Sequence, residues 1–513
     1  MTRERTIRSQ VIPPPVAGWN TRDPISAMDS TYAVELENLI TKNGALQLRG
    51  GSRIFTASGA KDHLATFVYN SYDKLISYNS ISTTIVDCSS GTAVNISGGL
   101  ANPTGFRWAY QFKDRIFFTT PASNTDVYHW TGTGNIAASG FTGPAGDDKT
   151  LGPMTSYKGR LYFAHRDVTT PTYNLDLWYA GYDVVTGALT QYSLDLIARK
   201  GGYFTFIGST TRAKDFQEDE LFCAITNKGE VFVFTGLYPG HTSWQLIGRY
   251  FLPSEPIGEK AFFYLGSSLV IATRQGMFTI EQLMGGSVGL GNDSIITGDL
   301  SATIKSEFQA IGYQTIFNDD IFQIVPYPNG GYFLVNVLNT TSDATYQLVY
   351  NMIEGGWSKF TGWNASSFIV WKNELYYTTS WFSGTAIMKA DTGYYDENPV
   401  SAGAMIARTV KMRPAYNFFG DPSHKKRFIF AIPHHYQSEG MQLTMDADID
   451  FKNVAATQTV TPDNADTSYK YYAPNVGLAA VGKCASLRID QSVTTKRFSL
   501  QAIEVFWETG TVL

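Results

Sequence analysis

The chain has 513 residues, 40 Lys and Arg against 45 Asp and Glu, and a formal net charge of −5. That balance argues against a protein whose task is to grip phosphate backbones, which needs a basic surplus on one face. A length beyond the roughly 250–300 residues at which one core stops growing predicts more than one domain. The 30 Tyr, 32 Phe and 10 Trp favour sheet, with 47 Gly to serve the turns.

Residues 1–17, beginning MTRERTIRSQVIPPP, read as an extended arm, because Pro13, Pro14 and Pro15 disfavour helix and stiffen the chain. No apolar run precedes a small-residue cleavage site, and none approaches the roughly 18 residues needed to span a bilayer. The expectation is a soluble protein made in the cytoplasm, without membrane insertion. Residues 18–51 lie outside the repeat that follows. They predict a short helix capped at Asp29 or Ser30, carrying Ala33, Leu36 and Leu39 inward, then an Asn43-Gly44 turn, the whole packing on another domain.

From residue 52 to 400 the chain repeats one phrase, a hairpin tip between aromatic strands. The tips fall at Asp73-Lys74, Lys113-Asp114, Lys158-Gly159, Lys228-Gly229, Gly266-Ser267, Asn329-Gly330 and Lys372-Asn373, spaced by 40, 45, 70, 38, 63 and 43 residues. Four of the six spacings lie near the roughly 40–50 residues of a four-stranded propeller blade. An all-β fold with a β-propeller of six to eight blades is predicted. The first long gap, residues 198–220, reads as an exposed charged loop. The second holds one inserted helix, with Leu300, Ile304, Phe308 and Ile311 at helical spacing after Asp299 and Ser301. Residues 401–513 carry longer alternating strands and predict a separate, sandwich-like antiparallel C-terminal domain.

Motifs that could carry chemistry have plainer readings in this frame. Gly285-Gly286-Ser287-Val288-Gly289 matches GxSxG, but LGNDS follows where a nucleophile elbow needs a helix. Gly132-Thr133-Gly134-Asn135-Ile136-Ala137 follows the strand VYHW and reads as a turn, not a pyrophosphate cradle. Asp446, Asp448 and Asp450 begin like a calcium loop, yet Phe451 and Thr457 stand where that loop wants Gly and Glu, so they read as a solvated acidic strand face. The seven histidines form no HExxH or HxxxH pair, and adjacent His434 and His435 point to opposite faces. His424-Lys425-Lys426-Arg427 reads as a solvated turn, with an interface to an acidic partner or phosphate as the sharper alternative. Cys88, Cys223 and Cys484, odd in number and without CxxC spacing, read as buried apolar residues. No catalytic, cofactor-binding or metal-ligating residue is predicted.

Three stretches resemble one family. They are GWNTRDPISAMDSTYAVELENLITKNGALQLRGG at 18–51; the helix SATIKSEFQAI with QIVPYPNGGYFLVNV and YQLVYNMIEGGWSKFTGWNA in 301–365; and LQAIEVFWETG at 500–510. Together they are similar to the tail tube or nozzle proteins of short-tailed bacteriophages, in the style of tail tubular protein B and packaged-DNA stabilisation proteins. Thr41 departs from a proline-containing turn expected there. The resemblance implies a structural virion protein of the tail, assembled in the host cytoplasm and not an enzyme. It implies a homo-oligomeric ring, a hexamer, between portal-adaptor proteins and tail fibre or tip proteins, with genomic DNA touching its lumen weakly. The alternative is a receptor- or glycan-binding propeller using Trp244, Trp363 or Trp381, and behind it a propeller glycosidase, although no SxDxGxTW repeat occurs.

Overall fold

Short aromatic strands joined by tight turns form antiparallel meanders when the turn residues adopt the positive φ that matches strand twist. The computed structural model describes residues 7–57, 63–79, 84–98, 106–119, 127–143, 151–165, 175–214, 217–285, 299–314, 321–339, 344–379, 386–438, 441, 443–460 and 469–509. Among them, Lys113 (φ 57°), Lys158 (44°), Lys372 (50°) and Asn373 (60°) turn the chain at three of the expected tips.

Among the described residues, six four-stranded blades and one three-stranded sector follow in chain order, making the all-β propeller expected. The first blade begins with Leu64–Tyr69, the second with Trp108–Phe112, the third with Leu151–Tyr157 and the fourth with Phe204–Lys214. The sector comprises Phe262–Leu265, Ser268–Thr273 and Gly276–Thr279. A short helix, Ile280–Met284, continues from it, with a reciprocal cap between Thr279 and Gln282 that sequence reading did not foresee. The fifth blade runs from Gln323–Tyr327 to Trp357–Thr361. The sixth takes Ser367–Trp371, Glu374–Thr378 and Ile387–Lys389 from late in the chain and its outer strand, Arg53–Thr56, from the beginning. That exchange of ends closes the circle.

Aromatic clusters fill the seams between blades. Phe67, Phe118 and Trp130 join the first two, and Phe117, Phe163 and Trp178 the next pair. Tyr162, Phe222 and Phe232 follow, then Tyr332, Trp363 and Tyr377 between the fifth and sixth. Trp371 and Tyr376 meet Leu75 and Val86 where the sixth blade returns to the first, and Trp371 Nε1 donates to Asp73 there. Each buried ring removes a large apolar area from water, which is what makes a wheel of separate sheets cohere.

The second body is a sandwich. One sheet pairs Lys426–Gln437 and Phe498–Thr509 with the N-terminal strands Ile7–Ile12 and Ala45–Leu48. The other contains Tyr32–Glu37, Arg408–Pro414, Ala485–Val493, Leu443–Ile449 and Lys452–Val460. This second sheet is also the fifth blade, because Tyr32–Glu37 pairs with Trp357–Thr361 on one side and Arg408–Pro414 on the other. Propeller and sandwich therefore meet in one sheet of ten hydrogen-bonded strands.

The structure corrects several readings. The helix expected over 29–39 is the strand Tyr32–Glu37. A register irregularity between Ala33 and Glu35 puts Ala33 and Leu36 on the buried side three positions apart, imitating helical spacing. The tip expected at Asp73-Lys74 lies at Asn70-Ser71, where Asn70 has φ 52°, and Lys74 sits within a strand, bonded to Asp87. The stretch 198–220 is mostly a long hairpin, Phe204–Lys214 with Gln217–Thr226, rather than a loop; Phe204 and Ile207 turn into the core. The inserted helix is present as Lys305–Gln314 after a 3₁₀ turn, with Ile304, Phe308 and Ile311 buried. Residues 7–12 of the arm are not free but paired along Ile503–Glu508 of the same chain.

Candidate functional site: the joint between propeller and sandwich

The shared sheet brings together residues far apart in sequence. Arg49 follows the strand Ala45–Leu48, and its guanidinium lies against Asp396, with contacts of 2.6 and 3.1 Å. The two side chains are 1% and 3% exposed. Arg49 also donates to Asn38 Oδ1 (2.8 Å), Gly50 O (2.8 Å) and Thr361 O (2.6 Å), and it lies 4.6 Å over the Trp363 ring. Asp396 accepts further from Ser52 Oγ (3.1 Å) and Trp363 Nε1 (3.3 Å). A buried ion pair is tolerable when its remaining donors and acceptors are satisfied in this way. Beside it, burial and the Arg49 guanidinium push Arg408 down to about 10. Arg408 nonetheless donates to the carbonyls of Arg49, Tyr394 and Lys496.

A second knot lies at the turn after Ala344–Asn351. Asn351 Nδ2 donates to Thr41 O (2.7 Å), and its Oδ1 accepts from the backbone N–H of Ile353 and Glu354. Gly356 (φ 91°) and Gly18 (φ 85°) pass so closely that a Cβ on Gly356 would stand 2.6 Å from Ala17 O, and one on Gly18 2.6 Å from Trp357 N. Only glycine meets both demands. Trp357 Nε1 donates to Leu300 O, Thr21 N to Thr303 O, and Ser306 Oγ to Thr21 Oγ1. Thr41, the departure from the expected turn, is itself a member of this knot.

The cavity at the propeller centre is separate. It measures about 430 Å³ and is lined by His63, Arg107, Trp108, Lys260, Gln323 and Ser367 among others. Arg107 Nε lies 2.6 Å from Glu259 Oε2, and Lys260 Nζ lies 3.1 Å from His63 Nδ1. Burial, then the charges of Lys260 and Arg107, hold His63 well below its ordinary 6.5. Glu259 lines a neighbouring pocket of about 240 Å³ and is the one carboxylate among the described residues that line the two cavities.

The motifs of the sequence are scattered. Asp446 and Asp448 are not solvated: they are 8% and 2% exposed, Asp446 bonded to Arg488 (2.7 Å) and Asp448 to Arg413 (3.4 Å). Lys426 is buried as well, its ammonium donating to the carbonyls of Asp421, His424 and Lys483, so the basic run is partly an internal brace. Gly132 (φ 93°) and Gly134 (φ 66°) form a turn. Of the GxSxG match only Gly285, which ends the helix Ile280–Met284, falls within the described residues. His435 is buried and His434 lies on the other face. The three cysteines are buried, and none forms a disulfide among the described residues. Trp363 is fully buried, Trp244 stacks on Phe234 at 5.0 Å, and Trp381 lies outside the described residues. Among the described residues, no group of three His, Cys, Asp or Glu is placed to hold a metal ion, and no helix is long and apolar enough to cross a membrane. Sequence reading missed the Arg49–Asp396 pair. Arg49 stands in a quoted stretch, but nothing near Asp396 marks it as the partner.

No protein-family model and no curated protein matches the chain. Solved structures with some likeness include the computationally designed Ika8 protein, at TM-score 0.35 and 10% identity, over 66% of this chain and 99% of that one. The AfRom2 CNH domain scores 0.33 at 9% identity, over 75% and 94%. Raptor of Chaetomium thermophilum scores 0.35 at 12% identity, over 67% of this chain and 29% of that one. The architecture given above rests on the strand topology.

Proposed function

We propose that this chain is a structural subunit of the tail nozzle or tube ring of a short-tailed phage, a conduit for genome retention and ejection that performs no chemical step. One observation carries the reading. The three stretches that resemble that family interlock: residues 18–51 bond to the 301–365 stretch through Thr21 and Thr41 and pack against it at Gly18, and the closing strand pairs Leu500 with Leu46. A sheet running unbroken from blade to sandwich, with a satisfied ion pair beside it, suits a part that must transmit load without flexing.

In this reading the subunits close head to tail into a ring, a hexamer as the family implies, contacting portal-adaptor proteins on one side and tail fibre or tip proteins on the other. The propeller cavity does not serve as the lumen, since about 430 Å³ cannot pass a duplex whose major groove alone is about 12 Å wide. The DNA path lies between subunits. A chain of net charge −5 lets a polyanion slide rather than stick.

Negative-stain microscopy of the purified full-length protein tests this. Rings with a central hole, together with weak duplex binding, support it. Monomers that stay single at high concentration, or tight and salt-sensitive DNA binding, overturn it.

A further inference from the structure

A pocket of about 150 Å³ opens beside the joint, between the hairpin Leu39–Lys42/Ala45–Leu48 and the first turn of the fifth blade. Its floor is aromatic: Phe360 is 1% exposed and Tyr332 3%, their rings edge to face at 6.1 Å. The Tyr332 hydroxyl, fully shielded, has no hydrogen-bond partner among the described residues, a costly state for a buried polar group. Asp391 forms one wall. Its carboxylate accepts one hydrogen bond, from Gly50 N–H at 3.1 Å, and no salt bridge reaches it among the described residues. Asp391 also holds φ 51°, an uncommon backbone state that a short polar side chain tolerates best. The other charged side chain in the interior is Arg49, already neutralised by Asp396, while Lys42 and Glu354 stand exposed at the rim.

We propose that this pocket is a binding site for a single guanidinium or alkylammonium group that donates to the Asp391 carboxylate, its apolar stem flanked by Ile40, Leu48 and Ile353. A charge-assisted hydrogen bond to a carboxylate is stronger than a neutral one, and a cavity of roughly 150 Å³ accepts a benzene-sized ligand. Burial, only partly countered by Lys42, raises the Asp391 carboxyl above its ordinary range, the direction expected of an acid whose countercharge arrives with a ligand. The same headgroup can come from a free small molecule or from an Arg or Lys side chain of a second copy. The site does not depend on the role proposed above.

The experiment uses methylguanidinium, titrated calorimetrically into the full-length protein and into Asp391→Asn and Tyr332→Phe, with sedimentation velocity of each. Asn keeps the acceptor for Gly50 and the backbone state, so the fold survives. Relief of the buried charge raises the melting temperature of Asp391→Asn while binding weakens by about tenfold or more; Tyr332→Phe, whose hydroxyl lies beneath the floor, leaves binding unchanged. If a neighbouring copy supplies the headgroup, Asp391→Asn and excess methylguanidinium both shift the protein to smaller species. If a free molecule does, binding is lost in Asp391→Asn with sedimentation unchanged. Methylguanidinium binding equally well to wild type and Asp391→Asn, or not at all while both sediment alike, overturns the proposal.

Discussion

Two of the strands within the first 37 residues have opposite circumstances. Tyr32–Glu37 is a central rung of a ten-stranded sheet, with Ala33 and Leu36 sealed in the core. Ile7–Ile12 lies against Phe498–Thr509 with five of its six residues exposed, including Ile7 at 55% and Val11 at 56%. One strand is held from both sides and cannot leave without dismantling two bodies. The other is fastened by one row of backbone bonds and little burial, the circumstance in which strands are exchanged between copies. Position in the sheet, more than propensity, separates a structural strand from an available one.

The strongest way to break the comparison is at the held strand's neighbourhood. Asp396→Ala leaves Arg49 buried and uncompensated and costs on the order of 3–5 kcal/mol, read as a fall in the urea midpoint. A smaller loss would mean that water reaches the joint. Asn351→Leu deprives the buried Thr41 O of its donor and costs roughly 1–3 kcal/mol, while the N–H groups of the exposed Ile353 and Glu354 turn to water. Gly356→Ala combines a disfavoured φ with a collision at Ala17 O and costs about 1–3 kcal/mol; a neutral result would show that residues 17–18 can shift aside.

Acid should act next. Burial holds His63, His129 and His435 below 6.5, so the unfolded chain takes up protons before the folded one does. Stability is therefore retained above 6.5 and declines as pH falls below it. His63→Gln flattens that decline in melting temperatures measured between pH 7.5 and 5.5, and an unchanged slope would remove His63 as a contributor. The smallest effect on the fold belongs to the available strand. Deleting residues 1–11 shifts the monomer's urea midpoint little while weakening assembly of the proposed ring, and a deletion variant that assembles as well as the full-length protein would deny the arm any part in it.

Much of the wheel was legible because its signal is local: aromatic strands and turn residues such as Lys113, Lys158 and Asn373 declare themselves within a few positions. Misreadings came where burial overrode the local pattern. The irregularity at Ala33 and Glu35 disguised a strand as a helix. Asp446 and Asp448 look solvated until Arg488 and Arg413 come across the sheet. Asn70, not the charged Asp73-Lys74 pair, supplies the left-handed turn. The joint was least legible, since Arg49 and Asp396 stand 347 positions apart and no periodicity links them.

The exchange that completes the sixth blade sets an order of events during synthesis. Arg53–Thr56 leaves the ribosome early, but its partner Ile387–Lys389 follows only after every other blade has been made. At about 5–20 residues per second that is a wait on the order of tens of seconds, with a bare β edge exposed throughout. Nascent chains of this kind depend on being shielded until late, and any premature stop before Ile387 yields an open fan with adhesive ends.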